Sequence, residues 1–449
     1  MSLSAIKILE KDFELSGEEM RDMIKDFHLE MDKGLSERFS SLKMIPTYAD
    51  KPTGKEKGKY IALDLGGTNF RIVSLTLKGR GISSGHHVMK FKLRNKDITS
   101  TGKKLFGFLA RSVKKFIEEN RISPLQHIDL GFTFSFPVRQ TGIDSGTLVT
   151  WTKGFGASGV EGRDVVALLK KSFEEEGIGN ISVRALTNDT VGTLVARSYS
   201  DRDCDVGVII GTGTNACYVE ALHKIKKLGG GCRNSGTMII NIEWGNFNKL
   251  KATRYDEQLD KESDNPRAQM LEKMVSGMYL GEVCRLIIKG LISKKILFEG
   301  AAPAGFNKKM LLKGEFVSQV LADRTSDLAD TKVLLRRLGV KDPSFEDLKV
   351  VRRACELIST RAARISAAAI VAVVTKIDPH VIRKHTIAID GSVYEKLPGF
   401  SEKIKEVIGE LSGRSSGKIK ITLTKDGSGY GAAIIAAIST GKIGASDEE

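Results

Sequence analysis

Apolar residues at helical spacing open the chain. Met20, Met23, Ile24, Phe27 and Met31 fall on one face of a segment from Ser16 to about Lys43, and Ser16 followed by Gly17, Glu18 and Glu19 supplies a start signal. Residues 51–59, with Pro52 and Gly54 among lysines and glutamate, read as an exposed connector into a strand at 60–65. Strands are expected near 60–65, 70–77, 86–93, 128–133 and 181–186, with helices near 101–119 and 162–176. A second passage of the same kind begins with a strand at 205–210, turns through 211–215 and enters a strand at 216–221. Laying 66–69 over 212–215 aligns one ending, Gly-Thr-Asn, that leads each time into a strand rather than a helix. The pattern is that of a duplicated α/β unit. A mostly helical stretch from about 266 to 376, a strand at 386–390 and a small-residue helix at 429–438 complete the second half.

At 449 residues the chain exceeds the size at which one core keeps growing, so two lobes are expected. Lysine and arginine number 70 against 55 acidic residues, a formal charge of +15, which favours anionic partners such as nucleotides. The lysines are scattered, as at Lys224, Lys226, Lys227, Lys294 and Lys295, and aromatics are 6%, so no basic stripe with stacking rings points to nucleic acid. Cys204, Cys217, Cys232, Cys284 and Cys355 form neither CxxC pairs nor an even framework, which indicates reduced core thiols in a cytosol-like compartment. Charges at Glu10, Lys11 and Asp12 leave no room for a secretory apolar region, and the longest apolar run, 367–374, is too short for a bilayer. A soluble, cytoplasmic protein without membrane insertion is expected, either monomer or homodimer.

The first glycine turn, Asp64-Leu-Gly-Gly-Thr-Asn-Phe-Arg71, combines backbone N–H groups free to approach phosphate oxygens, a hydroxyl and a cation. A carboxylate at Asp64 would repel phosphate unless Mg2+, held through water, lies between them. A plain Gly-Gly hairpin with a capping aspartate is the bland alternative. The second turn, Gly211-Thr-Gly-Thr-Asn-Ala216, matches the GxGxxA dinucleotide fingerprint, but that fingerprint must open a helix, and the residues after Asn215 alternate as a strand. No GxxxxGK[ST] and no HRD or DFG motif is present, which excludes P-loop and protein-kinase machinery.

Ser135, then Thr152 and Lys153, then Asn188 and Asp189 follow one another near expected strand ends, where open α/β sheets bind ligands. Short polar side chains and carboxylates in that position suit a polyhydroxylated ligand. Asp189 sits where a helix N-cap would, and a carboxylate in reach of an acceptor hydroxyl can also take its proton. Glu243 and Glu272 are candidate hydroxyl acceptors, although a helical glutamate such as Glu272 is ordinarily solvated surface.

Together, 63–71, Gly131-Phe-Thr-Phe-Ser-Phe-Pro137, Trp151-Thr-Lys-Gly-Phe155, Asn188-Asp-Thr-Val191, Gly211-Thr-Gly-Thr-Asn215, Glu243-Trp-Gly245 and Asp426-Gly-Ser-Gly429 resemble the eukaryotic hexokinase and glucokinase family, over about residues 20 to 440. The resemblance implies an actin-like ATPase fold of ribonuclease H-like halves, two lobes around a cleft, with 52–190 plus 431–445 in the small lobe, 1–51 plus 191–430 in the large lobe and 446–449 as a tail. It implies a single catalytic unit that moves phosphate from ATP with Mg2+ to a hexose, glucose foremost. By position, Ser135, Thr152, Lys153, Asn188, Asp189, Asn215, Glu243 and Glu272 match sugar contacts, with Asp189 as base and Lys153 beside it in catalysis. Asp64, Gly66, Gly67, Thr68, Asn69, Arg71, Gly211, Thr212, Gly213, Gly277, Met278, Ser318, Asp390, Gly391, Ser392, Val393 and Tyr394 match the nucleotide side, and Asp64 and Asp189 would reach Mg2+ through water. Two stretches depart from the family pattern. Gly314-Glu315 stands where Thr-Arg is usual, which removes a hydroxyl and reverses a charge, and Trp244-Gly-Asn-Phe-Asn248 stands where Trp-Gly-Ala-Phe-Gly is usual, with a shorter loop after it.

Two rival readings remain at this level. One is a non-catalytic relative that binds sugar or nucleotide and acts through a partner. The other is an actin- or chaperone-type ATPase, which has no use for Ser135, Thr152 and Asn188.

Overall fold

The computed structural model describes residues 2–441 apart from 37, 67, 68, 124, 125, 153, 230–235 and 302, and gives the backbone alone for 2–5, 69, 304 and 305. Gly67, Thr68, Lys153, Cys232 and the tail 446–449 therefore lie outside the described residues.

Among the described residues, one sheet is built from β1 (Lys57–Leu65), β2 (Asn69–Gly79), β3 (Ile82–Lys92), β4 (Ile128–Phe134) and β5 (Ile181–Thr187), in the order β3-β2-β1-β4-β5. The other is built from β6 (Cys204–Ile210), β7 (Thr214–Ala221), β8 (Thr237–Asn241), β9 (His385–Asp390) and β10 (Ile419–Leu423), in the order β8-β7-β6-β9-β10, with Ile45–Pro46 paired on the edge of β8. In each, the first three strands are antiparallel and the last two run parallel to the first. The two halves therefore share one topology, as the repeated Gly-Thr-Asn implied.

Parallel pairing brings the carboxyl ends of β1, β4 and β5 to one edge: Leu65 pairs with Phe134, and Thr133 with Thr187. Every residue of β4 is buried, as expected of a strand covered on both faces. In the second half, Asp390 at the end of β9 pairs with Ile209 near the end of β6.

The halves meet through two helices, Asp189–Ser198 and Gly427–Thr440. They touch backbone to backbone: a Cβ on Gly431 would lie 1.9 Å from the Gly192 carbonyl oxygen, and one on Gly192 would lie 2.6 Å from the Ser428 carbonyl oxygen. Val191, Leu194 and Val195 from the first helix join Ala432, Ala433, Ile435 and Ala436 from the second in a cluster that also takes Ala62 of β1 and Cys217 of β7.

Several expectations need correction. The first long helix spans Gly17–Leu35 rather than reaching Lys43, because Glu30 turns inward and takes hydrogen bonds from Ser40 Oγ, Ser41 N and Ser41 Oγ, which fold the chain back. Burial opposes the charge on Glu30, but Lys33 and these serine donors outweigh it and lower its carboxyl to about 2. Strand β8, β10 and the hairpin of Val138–Gly142 with Ser145–Leu148 were not foreseen, whereas the stretch 266–376 is mostly helical as expected, in several helices that end in Phe345–Ile377. That last helix is long and apolar enough to cross a membrane, yet 83% of its most apolar window is buried inside the fold. It is a core helix, so the length of the longest apolar run was the wrong measure. Cys204, Cys217, Cys284 and Cys355 are free and buried, as core thiols should be.

Candidate active site

Asp64 is buried at the end of β1, and its Oδ2 accepts from Arg71 Nε at 3.0 Å, from Arg71 Nη2 and from Ser428 Oγ at 2.7 Å. Arg71 also bridges to Asp426, the left-handed residue that opens the helix Gly427–Thr440. Burial works against the arginine charge, but Asp64, Asp426 and Asp390 outweigh it and raise the Arg71 pKa. The first glycine turn is thus tied to the crossing helix by one guanidinium. Gly66 approaches Ser135, whose backbone N–H donates to Leu65 O at 3.1 Å. Asn69 begins β2.

Gly211 N donates to Gly213 O at 2.9 Å and closes the second turn, leaving Thr212 exposed. The helix Gly277–Ser293 docks against it: Gly277 N donates to Gly211 O at 2.8 Å and Met278 N to Thr212 O at 3.1 Å. Those two N–H groups brace the turn and are not aimed at a ligand. Gly391 has φ +122, and a Cβ there would lie 2.4 Å from the Ile210 carbonyl, so β6 and β9 end in backbone contact. Asp390 is half-buried; desolvation pushes its pKa up, and Asp426 and Asp189 push the same way against Arg71. Ser392 is exposed, whereas Val393 and Tyr394 are buried in the second core and support the turn from behind. Ser318 stands apart, donating to Lys396 O at 3.1 Å.

The helix after β5 is capped by Asn188, whose Oδ1 accepts from Val191 N at 2.9 Å. Asp189 is therefore not the cap but the first helical residue. Its Oδ1 accepts from Thr190 N at 2.8 Å and Thr190 Oγ1 at 3.2 Å, and its Oδ2 has no partner among the described residues. Capping by the neighbour leaves a half-buried, oriented carboxylate oxygen available. Thr152 is exposed on a loop anchored by rings: Phe136 lies 4.9 Å from Trp151 and 4.7 Å from Phe155, and Trp151 Nε1 donates to Ala157 O at 2.9 Å.

From the second half, Asn215 Nδ2 donates to Glu243 Oε1 at 3.2 Å, and Glu272 Oε2 accepts from Thr214 N at 2.9 Å. Glu243 holds a left-handed backbone at φ 55 and ψ 49, an unusual state for a non-glycine residue and one that collects at ligand sites. Two residues escaped the sequence reading. Gln269, also left-handed at φ 57, points its Oε1 toward Gly245, where a Cβ would lie 2.4 Å from it; its position three residues before Glu272, in the same stretch, was the available signal. Asn241 sits between Asn215 and Glu243, two residues before Glu243 on β8, and only the unforeseen strand reveals it.

At the departures, a Cβ on Gly314 would fall 2.6 Å from Gly277 O, so glycine lets the helix Gly314–Ala322 abut the helix that braces the second turn. Glu315 is exposed in its first turn. The loop after Trp244 is pinned by Trp244 Nε1 to Thr214 Oγ1 at 2.9 Å and by Lys251 to Glu19 at 2.8 Å.

Among the described residues, no three histidine, cysteine or acidic side chains gather closely enough to hold a metal unaided. Arg71 and Ser428 occupy Asp64 Oδ2 and leave Oδ1 without a hydrogen bond among the described residues, so Asp64 offers a divalent ion one carboxylate oxygen, directly or through water. That fits Mg2+, which keeps its waters and is completed by substrate phosphates.

A duplicated sheet with a glycine turn after the first strand of each half, joined by crossing helices beside an oriented aspartate, defines the actin-like ATPase class. Within that class the chain belongs to the hexokinase family: two hexokinase family models match residues 5–199 and 205–438. Hexokinase-7 of Oryza sativa subsp. japonica is 43% identical over 425 residues, covering 91% of each chain. A Hexokinase-like 1 protein of Arabidopsis thaliana is 40% identical over 415 residues, covering 89% of this chain and 83% of that one. A hexokinase from Schistosoma mansoni solved in complex with glucose superposes with a TM-score of 0.87 at 36% identity, covering 98% of this chain and 100% of that one.

Proposed function

We propose that this chain transfers the γ-phosphoryl group of ATP to the 6-hydroxyl of glucose, and of fructose or mannose, giving hexose 6-phosphate and ADP as the entry to glycolysis in the cytoplasm. The observation that carries this is Asp189. Its Oδ1 is fixed by Thr190 and its Oδ2 has no partner among the described residues, and it lies close enough to Asp390 at the second turn to act on that carboxyl. A base oriented in that way, beside glycine turns and among hydroxyl acceptors, suits abstraction of a proton from an acceptor hydroxyl. The relative solved with glucose supports the choice of sugar.

Asn188, Asp189, Ser135 and Thr152 would hold the hexose from the first half, and Asn215, Glu243, Glu272 and Gln269 from the second. Closure of 52–190 plus 431–445 onto 1–51 plus 191–430 would align the hydroxyl and exclude water. The turns at 66–69 and 211–213 would cradle the phosphates, with Arg71 and Lys153 offsetting the charge that develops. Mg2+, when bound with ATP, supplies neutralisation of the phosphate oxygens. Asp64 would hold it through water, and Asp189 would take the proton.

Sugar-dependent ADP release tests the reading, measured with glucose, fructose and mannose for the wild type and Asp189→Ala. Expected is turnover lowered by about 10²–10⁴-fold with sugar affinity retained; unchanged turnover would sink the assignment. The exposed Glu315 near the expected nucleotide favours one rival, a sugar-binding regulator, and sugar binding without any ADP release by the wild type would establish it.

A further inference from the structure

Asn215, Asn241 and Glu243 form a closed hydrogen-bonded set on one face of the second sheet. In the β7–β8 ladder Asn241 pairs with Cys217, and the period of two places Asn215 on that same face. Asn215 Nδ2 donates to Asn241 Oδ1 at 2.8 Å and to Glu243 Oε1 at 3.2 Å, which uses both of its amide protons. Its Oδ1 accepts from Ala216 N at 2.7 Å. Asn241 Nδ2 donates to the same Glu243 Oε1 at 2.8 Å. Glu243 Oε1 is thus saturated by two amides, while Oε2 has no partner among the described residues.

The set is directional. The carbonyl of residue 241 must face an amide donor and its NH2 must face a carboxylate, and of the ordinary side chains at this length only asparagine offers both. Asn241 is 6% exposed, so it has little surface to offer a ligand. Glu243 has a left-handed backbone that by itself does not fix where its carboxylate points.

We propose that Asn241 is a positioning residue for hexose recognition: its carboxamide aligns Asn215 and Glu243 so that Glu243 Oε2 is left to accept the sugar hydroxyls. Asn241 acts through its neighbours and does not touch the sugar. The proposal rests on the hexose kinase reading.

The test is Asn241→Asp, with steady-state kinetics and hexose affinity followed from pH 8.5 to 5.5. The substitution keeps the acceptor for Asn215 but sets a carboxylate against Glu243 Oε1, while Glu272 reaches the neighbouring Thr214 N–H. At high pH the hexose KM should rise about 10–100-fold, the worth of one charge-assisted hydrogen bond, with kcat at saturating hexose changed less than about 3-fold. As pH falls the two carboxylates share one proton, the donor to Glu243 returns, and KM should recover toward the wild-type value. Asn241→Asp combined with Glu243→Gln reverses the polarity of the contact, so its KM should lose that pH dependence, and it remains informative if the single variant folds poorly. A KM for Asn241→Asp equal to the wild type's, a raised KM that does not change with pH, or a kcat that falls together with thermal stability while KM stands still would each overturn the proposal. Wild-type protein without hexose-dependent ADP release or a hexose-induced rise in Tm would instead overturn the hexose kinase reading.

Discussion

Glu272 accepts a 2.9 Å hydrogen bond from the backbone N–H of Thr214, so the carboxylate proposed for the sugar is also a strut of the turn proposed for the nucleotide. Glu272→Ala removes the strut and should raise KM for hexose and for ATP together, each by about 10–100-fold. Glu272→Gln keeps an acceptor for Thr214 and should raise the hexose KM alone. Kinetics with both substrates varied separate the two patterns.

Arg71 neutralises the buried Asp64 while bridging to Asp426. Arg71→Met leaves the Asp64 charge uncompensated and should cost about 3–5 kcal/mol of stability as well as turnover. Adding Asp64→Asn should restore much of the stability without restoring kcat. Denaturant unfolding beside an ATPase-coupled assay of the single and double variants would show whether the two losses separate.

A methyl group at the helix crossing has nowhere to go, since a Cβ on Gly431 would sit 1.9 Å from Gly192 O. Gly431→Ala should lower stability by about 1–3 kcal/mol and raise the hexose KM by forcing the helices apart. Gly429→Ala, whose Cβ would meet only the Val73 side chain, with Cγ2 nearest at 3.1 Å, is the control and should change both far less. Differential scanning calorimetry and hexose titration read the two effects.

Glu30 contributes stability with a definite pH signature. Its folded pKa is lowered to about 2 from the ordinary 4.5, so its contribution is complete above 4.5 and disappears as pH falls toward 2. Glu30→Gln should therefore melt below the wild type at pH 7, with the gap narrowing as pH is lowered through 4.5 toward 2. Thermal melts across that range measure the gap, and a gap that stays constant would show that the charge on Glu30 is not what holds the loop.

Much of this was legible from residue patterns. Period-two stretches marked β1, β2, β4, β5, β6 and β7, and the repeated Gly-Thr-Asn exposed the duplication, because a glycine turn between strands is a local property of the chain. Asp189 was placed correctly at the end of β5, but which residue caps the helix, Asn188 or Asp189, depends on one φ angle and is not written in the order Asn-Asp-Thr. Strand β8 was missed because its five residues, Thr-Met-Ile-Ile-Asn, hold one short apolar run with no period long enough to read. Asn241 went unseen with it. Val393 and Tyr394 were assigned to the nucleotide by position, and only packing shows them facing inward.

The crossing of Asp189–Ser198 over Gly427–Thr440 has a mechanical meaning. Where two helices meet at their backbones, the point of contact is a fulcrum, and groups far from it travel much further than groups beside it. Asp189 stands one turn from Gly192, on the short arm of the lever. Asp189, the proposed proton acceptor, would then hold nearly still while groups farther from the crossing swing. A residue that touches no ligand, and has no side chain, would set how far those groups move.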